Sequence, residues 1–224
     1  MLQRKDHTAN FSTLTDWLIS HYFEDLNAYY HGTLSGGALN GQPSREAIRG
    51  RLETALRRYA DCRIMLIAHS MGSIIAYDVL TLTVPDIEID TFVTCGSALG
   101  IPFIIAHNIE ERQARTAGEN PASTPLNVQR AWFNLSDLDD RVAMNYDLGD
   151  DYTANERQIR AVDLVVKNTY QWQGQPNPHK SYGYLRTPEM ARLVDEFLTM
   201  DKAKPLVWLE NAWHKTLSRF IHIH

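Results

Sequence analysis

Within Ala68-His69-Ser70-Met71-Gly72, a serine sits between an apolar run, Arg63-Ile64-Met65-Leu66-Ile67-Ala68, and an amphipathic one, Ser73-Ile74-Ile75-Ala76-Tyr77-Asp78-Val79-Leu80. A chain that passes from strand to helix through one residue strains the backbone there, and small neighbours such as Ala68 and Gly72 accommodate the turn. The turn lifts the serine oxygen above the sheet end. It also aims the next backbone N–H, that of Met71, at the space where an oxyanion would form. Those are the requirements of a nucleophile in acyl transfer. Ser70 then needs a base to take its proton and an acid to orient the base, and after a serine in such a turn they follow in the order acid, then base. Asp140 fits the acid, because Asp137-Leu138-Asp139-Asp140-Arg141-Val142 directly follows an apolar run and would leave the sheet at the same end. Asp137 and Asp139 stand beside it as alternatives. His179 fits the base, within the loop Pro176-Asn177-Pro178-His179-Lys180-Ser181-Tyr182-Gly183-Tyr184 that follows the last apolar run. The other histidines fall elsewhere: His7, His21, His31 and His107 precede the expected region, His214, His222 and His224 lie in the C-terminal tail, and His69 is expected to point away from the nucleophile.

These residues need a scaffold that brings several loops to one end. Four β-branched or apolar runs supply its strands: residues 63–68, Ile89-Asp90-Thr91-Phe92-Val93-Thr94-Cys95, Ala131-Trp132-Phe133-Asn134-Leu135, and Ala161-Val162-Asp163-Leu164-Val165-Val166. The first reads as a strand buried on both faces. Between and around them, 3.6-residue periodicity predicts helices near 12–31, 44–60, 72–82, 106–116 and 187–200. The last has a sharp start, with Thr187 as N-cap, Pro188 at the first position and Glu189 in the first turn. Residues 32–43 and 117–126 read as Gly- and Pro-bearing loops, and a further helix near 205–220 carries Trp208 and Trp213. The alternation of strand and helix predicts an α/β fold with a mostly parallel sheet flanked by helices. We read one domain over 1–224: a helical lead-in at 1–61, a core at 62–200, and a C-terminal helical tail at 201–224.

Composition narrows the function. The 224 residues, 44% hydrophobic, suffice for one sizeable core. With 22 Lys and Arg against 27 Asp and Glu, and no dense basic run, the chain offers no phosphate-tracking face, so nucleic acid is not expected as a partner. No stretch approaches the roughly 20 apolar residues of a spanning helix. The N-terminus carries no visible secretory signal, and two cysteines, Cys62 and Cys95, are too few for a disulfide framework. Both are expected as reduced packing residues, with a cytoplasmic location as the default.

As a bare pattern Ala-x-Ser-x-Gly is weak, and its surroundings give it weight. The run from Met65 through Leu80, followed by Phe92-Val93-Thr94-Cys95-Gly96-Ser97-Ala98-Leu99-Gly100-Ile101-Pro102, resembles the lipase- and esterase-like bacterial α/β-hydrolases over about residues 22–200. That resemblance implies a Gly-Ser-x-x-Gly-x-Pro turn after the strand that follows the nucleophile, then an Asp-x-Val acid and an Asn-Pro-His-x-x-Tyr histidine loop. Asp140-Arg141-Val142 and Asn177-Pro178-His179-Lys180-Ser181-Tyr182 match both. It implies hydrolysis of a small-molecule or lipid ester with no metal or organic cofactor. Segment 101–126 has the length and apolar character of a lid over an acyl pocket, or of an ordinary helix and loop on the sheet. One departure stands out. Similar hydrolases place an apolar strand ending in His-Gly ahead of the nucleophile, whose loop gives a second oxyanion donor, and nothing in 1–61 reads as that strand. His31-Gly32 follows a helical stretch instead. The expectation is a reduced number of strands, with a truncated or catalytically degenerate hydrolase as the alternative, and an open sheet edge or the C-terminal helix as the route to a homo-oligomer.

Overall fold

The computed structural model describes residues 24–32, 41, 43–115, 121–143 and 145–200. Helix α1 covers 24–31 and α2 covers Ser44–Arg58; then come β1 (Met65–His69), α3 (Met71–Asp78), β2 (Ile89–Cys95), α4 (Pro102–Arg115), β3 (Val128–Ser136), α5 (Leu148–Asp151) and β4 (Ala161–Val165). A short hairpin, β5 (Gln171–Trp172) with β6 (Gln175–Pro176), precedes α6 (Ser181–Leu185) and α7 (Pro188–Thr199). The last turn of α3 widens into a π-helical turn at Val79–Thr83.

The sheet runs β1-β2-β3-β4 in chain order with every pairing parallel. Parallel neighbours require a crossover, and α3, α4 and the segment holding α5 supply the three. The fold is thus α/β, with a parallel sheet, four-stranded among the described residues, flanked by helices as the alternation of patterns predicts. Strands that all point one way deliver all their C-terminal ends to one edge, the place where open α/β sheets collect functional loops. Ser70 follows β1 there, Gly96 follows β2, the Asp137–Asp140 loop follows β3, and the chain leading to His179 follows β4.

Both faces of the inner strands are packed. On one, Phe92 and Trp132 stack with ring centroids 5.4 Å apart and pack with Ile74, Tyr77, Leu80, Ile104 and Tyr152. On the other, Val93, Cys95 and Leu135 meet Tyr184, Met190 and Leu193 from α6 and α7. Phe92 and Val93 part to opposite faces as the period-2 pleat demands. Helix α7 starts as expected: Pro188 is its first residue, and Thr187 Oγ1 accepts the Met190 amide at 3.2 Å.

Several expectations need correction. Ile67 is 37% exposed, so β1 is not buried on both faces; among the described residues β2 is its one neighbour, and an outer strand keeps solvent along one side. Helix α4 begins at Pro102, earlier than periodicity indicates, and its fully buried Ile104 sits in the core, so it is the crossover between β2 and β3. Cys95 is buried, but Cys62 is exposed in the turn after α2, outside any packing. The hairpin β5–β6 and helices α5 and α6, two to five residues each, are too short to show a periodic pattern in the sequence. Residues 12–23, most of the 32–43 loop and the 205–220 helix lie outside the described residues.

Candidate active site

Strand β1 ends at His69 and α3 begins at Met71, leaving Ser70 alone to make the reversal. Its backbone adopts φ 59° and ψ −134°, a region that costs a non-glycine residue about 1–3 kcal/mol. The surroundings hold it there. Ser70 N donates to Cys95 O at 3.2 Å, and Ser70 O accepts from Ser73 N at 3.0 Å and Ser73 Oγ at 2.5 Å. Ser97 Oγ in turn donates to Ser73 Oγ at 2.8 Å, so the serine of the Gly-Ser-x-x-Gly-x-Pro turn braces the turn at Ser70. Met71 is the first residue of α3, and its N–H is one of the four that have no acceptor within the helix.

The three residues chosen on chain order lie together. His179 Nε2 is 3.1 Å from Ser70 Oγ, and His179 Nδ1 is 3.0 Å from each Asp140 carboxylate oxygen. With Nδ1–H donating to Asp140, Nε2 is left as the acceptor for the serine hydroxyl, which is the tautomer a general base needs. Asp140 is buried, and its oxygens also accept from Val142 N at 3.0 Å and Tyr184 OH at 2.6 Å.

The competing aspartates face elsewhere. Asp137 Oδ2 accepts from Asn168 N at 2.5 Å and its Oδ1 from Asp139 N at 2.9 Å, which fastens β3's end to β4's end. Asp139 is exposed and paired with Lys167 at 2.5 Å. His31 ends α1, and Gly32 O accepts from Ser44 N at 2.9 Å, so among the described residues His31-Gly32 closes a helix and does not follow a strand.

Several further residues support the site. Tyr184 holds Asp140, while Tyr182, the tyrosine of the histidine-loop pattern, is 61% exposed. Asn168 Nδ2 donates to Pro178 O at 2.6 Å and Lys180 O at 2.9 Å, clamping the backbone on either side of His179. A Cβ on Gly183 would stand 1.5 Å from Asn168 Oδ1, so α6 must present glycine there. A Cβ on Gly96 would stand 2.8 Å from Asp140 Oδ2 and 2.9 Å from Tyr184 Cε2, and Gly96 also has φ +52°. His69 packs against His179: its ring lies 4.7 Å from that of His179, and its Nε2 donates to His179 O at 2.7 Å. Burial first, then the neighbouring His179, lowers the pKa of His69. The local signal for Gly96 was its pattern; those for Tyr184, Asn168 and His69 exist only in three dimensions.

Beside the triad runs an open groove of about 550 Å³, walled by His179, Asp140, Val142 and the exposed Trp172 of the hairpin. Among the described residues no group of three or more His, Cys, Asp or Glu is placed to hold a metal ion, and no helix is long and apolar enough to cross a membrane. No protein-family model and no curated protein matches this chain.

Proposed function

We propose that the chain is a serine hydrolase of α/β-hydrolase type that cleaves a carboxyl ester through an acyl-enzyme on Ser70. The observation that carries this is the continuous hydrogen-bonded line from Ser70 Oγ through His179 to the buried Asp140. His179 Nε2 takes the hydroxyl proton as Ser70 Oγ bonds to the carbonyl carbon; the oxygen becomes an oxyanion beside the Met71 N–H. Collapse breaks the ester C–O bond, and His179 returns the proton to the leaving alcohol. Water, deprotonated by the same His179, then releases the acid and restores Ser70. Asp140 keeps His179 in the right tautomer and stabilises the imidazolium that forms.

A second reading is favoured by the outer position of β1. With Ile67 exposed and no strand before β1 among the described residues, the oxyanion loop that similar hydrolases carry has no counterpart there. One missing donor typically costs about 10²–10³ in rate. The second reading is therefore a hydrolase-like protein of weak or no activity that binds a partner, or a second copy, along the β1 edge.

A fluorophosphonate probe separates the two. Labelling of the unmodified chain that disappears in both Ser70→Ala and His179→Ala is the expected outcome. A folded chain that takes no label overturns the enzyme reading and leaves the binding one.

A further inference from the structure

The hairpin that leads into the His179 loop raises one large aromatic side chain into solvent. Trp172 is 64% exposed. It forms one wall of the groove of about 550 Å³ whose other walls include His179 and Asp140, and the amide-bearing residues Gln173, Gln175 and Asn177 line the same groove, as do Asp139 and Arg141. Trp172 also walls a neighbouring groove of about 350 Å³ with Tyr170, Tyr182 and Lys180, and the two tyrosine rings lie 6.0 Å apart. Exposed tryptophans met singly need no explanation. One that shares a groove with the base, amid side-chain amides and further aromatic rings, has the composition of a ligand site.

Proton bookkeeping says which part of a substrate would lie there. The proton that His179 removes from Ser70 goes to the oxygen that leaves, so the leaving alcohol stands on the His179 side of the scissile bond. The groove on that side is open to solvent, and its lining mixes the apolar surfaces of Trp172, Val142, Pro176 and Pro178 with polar residues. An indole face bordered by amides suits a hydroxyl-bearing ring: the ring's C–H face packs on the aromatic, and its hydroxyls exchange hydrogen bonds with groups that both donate and accept.

Resting on the serine-hydrolase reading, we propose that the alcohol released is such a ring, a sugar or similar cyclic polyol, seated against Trp172. Ser70 Oγ bonds to the acyl carbon, the bond from that carbon to the ring oxygen breaks, and its electron pair leaves with the oxygen. The proton from His179 completes the hydroxyl. The acyl group stays on Ser70 until water removes it.

The test compares two esters with one acyl group, an acetylated methyl glucoside and ethyl acetate, in the unmodified chain, Trp172→Ala and Trp172→Phe. The expected result is a preference in kcat/KM for the glucoside that falls about tenfold in Trp172→Ala, chiefly through KM, and is largely recovered in Trp172→Phe. Binding is read without turnover by titrating Ser70→Ala with methyl glucoside. Saturable quenching of tryptophan fluorescence, lost when Trp172→Ala is added, supports the site. An unchanged preference in Trp172→Ala together with no saturable quenching overturns it. The fluorophosphonate label expels only fluoride and needs no ring platform, so a labelled protein with those results remains a hydrolase with a different alcohol. An unlabelled protein overturns the hydrolase reading and the leaving-group role with it.

Discussion

Asp140 shows what a buried charge demands of its neighbours. An isolated carboxylate out of water is very costly, and three donors, His179 Nδ1, Val142 N and Tyr184 OH, surround this one. Tyr184 does two jobs, because its hydroxyl also accepts the Asp137 amide at 3.1 Å. Burial, reinforced by the Asp140 charge, raises its phenol pKa well above the ordinary value, so the hydroxyl stays protonated and keeps donating. Tyr184→Phe keeps the ring in the core but strands a buried amide and removes one donor from Asp140. The expected loss of stability is about 1–3 kcal/mol in urea titration, with slower fluorophosphonate labelling of Ser70. Stability within a few tenths of a kcal/mol of the parent would mean that water replaces the hydroxyl.

At the scale of elements, His179 depends on a loop held from two directions. Asn168 after β4 grips the carbonyls flanking His179, and His69 at the end of β1 grips the carbonyl of His179 itself. The His69 ring faces His179, Asp140, Lys180 and, at 6.0 Å, the ring of Tyr184. Its pKa in the fold lies below the unfolded value of about 6.5, so near that pH the unfolded chain binds the proton more readily. The stability His69 contributes is therefore complete above about pH 6.5. It declines as the pH falls from there to the lowered value, and then levels off. His69→Gln retains a donor and abolishes the titration. Urea midpoints at about pH 7.5 and 5.5 should thus drop less in this variant than in the parent chain; equal drops would show that His69 contributes no such linkage.

Across the whole molecule, one polar cluster gathers the helices that cover the first sheet face. Asp78, buried at the end of α3, accepts from Tyr29 OH at 2.8 Å in α1 and from Arg45 and Arg49 of α2 at 2.9 and 2.7 Å. Arg45 continues to Glu111 of α4 at 2.5 Å. The helix that begins at the strained Ser70 is thus tied down at its far end. Asp78→Asn leaves two guanidinium groups facing a neutral side chain, and removing one partner of a buried ion pair typically costs about 3–5 kcal/mol. The expected result is a lowered urea midpoint for the whole chain. A midpoint equal to the parent's would mean that Glu111 alone balances both arginines.

The sequence by itself determined what is local. Apolar runs bounded by turn residues mark β1 to β4, Thr187-Pro188 marks the start of α7, and a serine pinned between strand and helix marks the strained turn. These follow from burial periodicity and backbone sterics, which act over a few neighbouring residues. Loop position and the Asp-x-Val resemblance point to Asp140 with Asp137 and Asp139 left as alternatives, and the tertiary structure brings Asp140 to His179, because the carboxylates differ by the direction each takes out of one loop. It also decided that Tyr184 rather than Tyr182 reaches Asp140. In α6 the two tyrosines are two residues apart, so they point to opposite sides of the helix. The two-residue strands of the hairpin are too short to carry a pattern, so nothing local marks Trp172. Hydrogen bonds between residues 39 and 109 positions apart leave no trace in local pattern, and the site is made of such bonds.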